Sequence, residues 1–245
     1  NDLYARAHAE LHPSPALSGL IRGAMEAGRD VTRGGARYNS SGVAVIGLAD
    51  VVDSLAAIND LVFARGILSL RELSDALADD FEGHEKTHAL LTRRAPKYGM
   101  DDDRADDHAQ KVIDSVAEAF DRHRNPRGGR YHVGYWSATF HSSMGGLTGA
   151  LPNGRRKGTN LASGATPVSG VARKGPTAAF SSTQKLPARL TPNGIANNHK
   201  LSKSYLGQPG KLEVFQQLID GYFEGAGFQV QFTLQDRQTL LDAQE

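Results

Sequence analysis

The 245-residue chain contains no cysteine, which excludes disulfides and thiolate-bound metals as sources of stability or chemistry. Neither sign of charge is in surplus: 28 Lys and Arg stand against 27 Asp and Glu, a net charge of +1. A nucleic-acid or membrane surface usually calls for a pronounced basic excess, so neither partner is expected. Long apolar runs are missing too, none approaching the roughly 20 residues of a membrane helix. The start, Asn1-Asp2-Leu3-Tyr4, has no basic stretch leading into an apolar one. No signal peptide is therefore visible, and a cytoplasmic location is expected.

Several catalytic signatures are also absent. No Gly-x-Ser-x-Gly elbow and no dinucleotide fingerprint occurs, and Lys157-Gly158-Thr159 reverses the order a Walker loop needs. His84 and His88 stand four apart, but Glu85-Lys86-Thr87 between them matches no zinc-protease motif, so solvated histidines are expected. The acidic cluster Asp101–Asp107 lacks the glycine and terminal glutamate of a calcium loop. An acidic helix start accounts for it, because carboxylates favour the positive end of the helix dipole. No metal is expected.

What the chain does have is glycine, 27 residues in clusters, many of them between 128 and 175. Irregular surface loops are one explanation; backbone in close approach to something is the other. Helical spacing recurs through Leu3 to Met25, through Val51 to Val62, through Ala109 to Phe120 and through Leu212 to Phe223. Ser69 followed by Glu72 forms a capping box that opens a further helix, and residues 84–94 make another. Val43–Ile46, Tyr131–Ser142 and Phe228–Leu234 read as strands, the last by strict alternation. Long ordered loops with one short helix are expected over 143–210, and such loops are generally functional. Helices alternating with few strands give an α/β fold with a largely parallel sheet. With no second periodic core, residues 1–245 are read as a single domain.

The stretch Gly134-Tyr135-Trp136-Ser137-Ala138-Thr139-Phe140-His141 holds the only tryptophan and runs directly into glycine-rich loop. Amphipathic aromatics with a few polar groups suit the wall of a small-molecule pocket. A core strand whose Tyr and Trp find local partners is the alternative. Glu26, a carboxylate among small and apolar residues, is a further candidate, with a solvent-facing helix position as its alternative.

Six blocks stand in a telling order. They are Gly34-Gly35-Ala36-Arg37-Tyr38-Asn39, Asp53-Ser54-Leu55-Ala56-Ala57-Ile58, Arg127-Gly128-Gly129-Arg130-Tyr131, Gly149-Ala150-Leu151-Pro152-Asn153-Gly154-Arg155, Gly175-Pro176-Thr177-Ala178 and Asp242-Ala243-Gln244. In this order the set resembles the glycyl radical enzymes, the pyruvate formate-lyase and diol dehydratase family, over nearly the whole chain. The resemblance implies the second half of a ten-stranded α/β barrel, helix-rich with long glycine-rich loops. It implies a lyase or dehydratase of anaerobic metabolism that cleaves a C–O, C–N, C–S or C–C bond after hydrogen abstraction by a cysteine thiyl. Having no cysteine, and no glycine in an Arg-Val-x-Gly-Tyr loop, the chain looks like a fragment, inactive alone, with no catalytic residue of its own. The alternative is a noncatalytic half-barrel remnant or structural partner subunit. Among partners the family implies a small-molecule substrate, the missing parts of the same enzyme, a homodimer when intact, and an activating enzyme that uses S-adenosylmethionine to install the glycyl radical. No bound cofactor is implied. Tyr135, Trp136 and Ser137, followed by His141 and Glu26, are the substrate-binding candidates.

Overall fold

The computed structural model describes residues 2–243. Three short helices come first, α1 (Asp2–Leu11), α2 (Pro15–Ser18) and α3 (Ala24–Ala27). Strand β1 (Ser41–Ala44) then leads into α4 (Leu48–Ala57), which runs on as a π-helical stretch, Ile58–Ala64. Helix α5 (Leu70–Ala78) opens on the expected capping box: Ser69 Oγ accepts from the Glu72 N–H, and Glu72 accepts from the Ser69 N–H. Next are α6 (Glu85–Arg93) and the long α7 (Asp103–Asp121). Asp102 caps α7 by accepting from the Arg104 N–H.

Strand β2 (Tyr131–Gly134) lies parallel to β1, with Ser41 opposite Tyr131 and Ala44 opposite Gly134. The expected strand over Tyr131–Ser142 is thus cut short. After Gly134 the chain makes one further bridge, Tyr135 to Ile195, then turns and becomes α8 (Phe140–Leu147). The turn passes through Ala138 in the left-handed region, φ 45°, and the Phe140 N–H donates to the Ser137 carbonyl at 2.8 Å. Aromatic and β-branched residues here serve a strand end and a bend.

The expected loop over 143–210 also holds more structure than one helix. It contains α9 (Pro176–Gln184), β3 (Asn198–Leu201) and α10 (Lys203–Leu206). Helix α11 (Lys211–Glu224), strand β4 (Gln231–Leu234) and α12 (Arg237–Asp242) complete the described chain. Strands β3 and β4 are parallel, Asn198 opposite Gln231 and Leu201 opposite Leu234. The two pairs connect through residues 193–196: the Tyr135 N–H donates to Gly194 O, and the Ala196 N–H donates to Tyr135 O, both at 2.8 Å. All four strands therefore run parallel in chain order, with helices in the connections. That is the arrangement of one side of an α/β barrel.

The core sits between this row of strands and the pair α4 and α7. Leu48, Ala49 and Val52 meet Ala109 and Ile113 above Val133, Tyr135 and Ile195. The α7 residues Ala105, Ala109 and Ile113 recur at the helical period, and burying each large aliphatic side chain contributes roughly 1.5–3 kcal/mol. A second cluster, Leu61, Leu73, Phe81 and Leu91, packs the π-helical stretch against α5 and α6. Beyond β3, aromatic rings pack on one another: Phe180 on Tyr222 with centroids 4.6 Å apart, and Phe215 on Phe232 at 4.7 Å.

Candidate functional site

Tyr135, Trp136 and Ser137 occupy the carboxyl end of β2 and the bend after it. Alternation along the extended chain separates the first two. Tyr135 is fully buried in the main core, whereas Trp136 is 39% exposed. The Trp136 indole N–H donates to Asn193 O at 3.2 Å. The Tyr135 hydroxyl is buried and has no hydrogen-bond partner among the described residues. Burial alone pushes its pKa up, so it stands as a neutral hydroxyl. A buried hydroxyl without a partner is costly, and native structures rarely keep one without a reason.

Ser137 is 2% exposed. Its Oγ lies 3.1 Å from His141 Nδ1 and 2.9 Å from Ser163 Oγ. The Asn198 amide donates to Ser163 Oγ at 3.4 Å. The first turn of α8 thus places His141 back over Ser137, and Ser137, His141, Ser163 and Asn198 form a polar row that starts two residues after Tyr135, whose own ring packs in the main core. Hydroxyl, imidazole and amide groups of this kind can orient a small polar molecule by hydrogen bonding. Four of the five sequence candidates therefore stand on one short segment. Glu26 is on α3, where its carboxylate accepts from the Gly23 N–H at 3.0 Å and caps that helix. No hydrogen bond joins it to the other four among the described residues.

The loop that brings Ser163 in is built on Asn153 and Arg155. Arg155, 8% exposed, donates to the main-chain carbonyls of Gly145, Thr148, Gly149, Thr159 and Asn160. Asn153 donates to Asp50 Oδ1 at 2.9 Å, and Lys97 Nζ donates to Asn153 O at 2.7 Å. His88, expected to be solvated, instead places Nε2 2.9 Å from Gly154 O. Gly154 has φ 92°, and a Cβ there would run into Thr92 Cγ2. The glycine is required by a left-handed backbone pressed onto α6. Sequence reasoning missed Ser163, Asn198 and the buried carboxylates Asp50 and Asp53. The one available signal was two carboxylates on the apolar face of α4, interleaved with Leu48, Ala49, Val52 and Ala56.

Three carboxylates of the acidic cluster converge on one lysine. Lys185 Nζ lies 2.9 Å from Asp101 and 2.8 Å from both Asp103 and Asp106, tying the end of α9 to the start of α7. An open apolar groove of about 710 Å³ lies between α9 and α11, lined by Phe180, Leu201, Tyr205, Phe215, Leu218 and Tyr222. None of residues 135–141 lines it. Among the described residues no helix is long and apolar enough to cross a membrane.

A row of parallel strands with helical connections, and polar side chains gathered at a strand's carboxyl end, is the layout of one side of an α/β barrel. Comparison with known proteins agrees. The pyruvate formate lyase-like family model matches residues 1–145, and the glycine radical model matches residues 161–245. The chain belongs to the pyruvate formate lyase-like family of glycyl radical enzymes. It is 35% identical over 237 residues to a probable dehydratase, YbiW, of Escherichia coli strain K12, covering 93% of this chain and 29% of that protein. It is 33% identical over 233 residues to trans-4-hydroxy-L-proline dehydratase of Clostridioides difficile, covering 95% of this chain and 29% of that one. The glycerol-bound B12-independent glycerol dehydratase of Clostridium butyricum superposes with a TM-score of 0.95 at 37% identity, over 99% of this chain and 31% of that one. The chain thus spans about three-tenths of the length of the relatives it matches. Within the stretch matched by the glycine radical model, no glycine stands in an Arg-Val-x-Gly-Tyr sequence.

Proposed function

We propose that residues 1–245 form one structural unit, the second half-barrel of a glycyl radical lyase or dehydratase, and that Tyr135, Trp136, Ser137 and His141 wall its substrate pocket. The observation that carries this reading is the Tyr135 hydroxyl, buried and unpartnered at the carboxyl end of β2. An unpaired buried hydroxyl is costly, and in this reading a substrate group supplies its partner. Substrates of the relatives fit such a wall: glycerol and hydroxyproline are small and carry hydroxyl groups. A cysteine and a glycyl radical outside these residues supply hydrogen abstraction from the substrate carbon, the radical being installed by an S-adenosylmethionine-dependent activating enzyme. The present residues bind and orient. Tyr135 donates or accepts one hydrogen bond, Ser137 and His141 offer a second polar contact, and the Trp136 ring shields the pocket from water. Glu26 is assigned to the substrate only through the family resemblance, since its carboxylate is engaged by Gly23.

The whole protein is read as a cytoplasmic homodimer. Leu3, Leu20 and Leu147, each more than four-fifths exposed, form apolar surface suited to cover by the rest of that protein. A noncatalytic half-barrel remnant or structural partner subunit is the second reading. Turnover of Tyr135→Phe in the full-length, activated protein tests the proposal. Loss of one substrate hydrogen bond lowers kcat/KM about 10–100-fold. Unchanged kcat/KM removes Tyr135 from the pocket, and full-length protein that acquires no glycyl radical signal on activation favours the noncatalytic reading.

A further inference from the structure

The proposed wall is not held by its own strand alone. Ser163 reaches Ser137 from the glycine-rich loop, and the residue before it, Ala162, donates its main-chain N–H to Asp50 Oδ2 at 2.6 Å. Asp50 lies on α4 and is 1% exposed; its other oxygen accepts from Asn153 at 2.9 Å. Both ends of the loop thus meet on one buried carboxylate. Burial pushes the Asp50 pKa up, while the Ala162 N–H, the Asn153 amide and the charges of Arg155 and Lys97 oppose that shift. Just beyond, the Tyr98 hydroxyl donates to Ala165 O at 3.0 Å, fixing the chain on the far side of Ser163.

We propose that Asp50 is a positioning residue for the substrate wall: it holds Ala162–Ser163 against Ser137 and so sets the orientation of Ser137 and His141. The inference rests on the reading of residues 135–141 as that wall. The link runs from Asp50 Oδ2 to the Ala162 N–H, along the main chain to Ser163 Oγ, then to Ser137 Oγ and His141 Nδ1. Each step is a covalent connection or a hydrogen bond of 3.1 Å or less. Asp50→Asn keeps the side-chain volume but turns one acceptor oxygen into an NH2. That group then faces a donor, Asn153 or Ala162, and one anchor of the loop is released. Ser163→Ala breaks the link at its other end and leaves α4 untouched.

Hydrogen exchange and steady-state turnover of the full-length protein test the link together. Asp50→Asn is expected to speed amide exchange about 10-fold or more in both 159–165 and 136–142, with 105–113 of α7 unchanged. Ser163→Ala is expected to speed exchange in 136–142 and leave Ala162 protected. Both variants lower kcat about 10-fold with little change in KM, and the double variant is no worse than Asp50→Asn alone. Uniform acceleration that includes α7 in Asp50→Asn, with no response of 136–142 to Ser163→Ala, overturns the proposal. So does a loosened 159–165 with 136–142 unmoved. If Ser137→Ala leaves turnover intact while exchange at 136–142 still follows Asp50, the wall reading fails and the positioning link stands.

Discussion

At the scale of single residues, the structure holds polar atoms that folding alone does not explain. The Tyr135 hydroxyl has no partner among the described residues, so Tyr135→Phe removes a buried polar group without removing a hydrogen bond. Its unfolding free energy, read from urea titration, is expected to stay level or rise, by up to about 1 kcal/mol. A loss larger than that reveals a partner for the hydroxyl and weakens its assignment to a substrate. Gly164 is the opposite case. It has φ 61°, and a Cβ would collide with Ala196 O and lie 3.0 Å from Tyr135 O. The same close approach lets the Ala165 N–H donate to Ala196 O at 2.9 Å. Gly164→Ala therefore combines left-handed strain with a backbone clash and is expected to cost on the order of 2–3 kcal/mol. Denaturant titration checks this; a change under about 1 kcal/mol would mean that the 162–165 segment is free to shift away from β2.

At the scale of elements, the glycine-rich loop behaves as a built part because one guanidinium organises it. Lysine has three donors and no planar fork, so Arg155→Lys cannot serve the carbonyls of Gly145, Thr148, Gly149, Thr159 and Asn160 together. Leaving buried carbonyls unpaired is expected to destabilise by about 3 kcal/mol. Arg156→Lys is the control, since the Arg156 side chain is exposed, donates among the described residues to Asp80 O and otherwise lies over the Phe81 ring, a contact a lysine can keep; its effect is expected within about 0.5 kcal/mol. Equal effects at the two positions would refute the clamp. The same contrast explains what could be read from sequence. Helices α7 and α11 repeat apolar residues at the helical period, and Ser69 with Glu72 marks a start, so these elements are legible locally. Tyr131–Ser142 is not, because its bend depends on Ser137 meeting Ser163 and on β2 meeting residues 193–196. Likewise Tyr135, Trp136, Ser137 and His141 lie close in sequence and could be grouped there. Ser163, Asn198 and Asp50 join them only through the fold.

At the scale of the whole molecule, stability is tied to pH by carboxylates buried beneath the loop. Asp53 is fully buried; one oxygen accepts from the Tyr98 N–H at 2.7 Å and the other has no partner among the described residues. Loss of solvent raises its pKa from 3.8 to about 7, against the opposing charge of Lys97 and the Tyr98 bond. Between these values the native state holds a proton that the unfolded chain has released. Stability from this group is therefore complete below about pH 4 and declines as pH rises toward 7, by up to about 1.4 kcal/mol per pH unit. Asp50 shifts in the same direction. Lys97 acts with the opposite sign at alkaline pH, because burial lowers its pKa from 10.5 and the native state sheds its proton first. Asp53→Asn stays neutral throughout and is expected to flatten the fall in denaturation midpoint between pH 4 and 7, raising stability most at the upper end. Parallel pH profiles for wild type and variant would show that Asp53 ionises in the native state as it does in the unfolded chain. The charged cluster under the loop would then be solvated, and the rigidity that Asp50 is argued to lend the pocket wall would have to come from Arg155 alone.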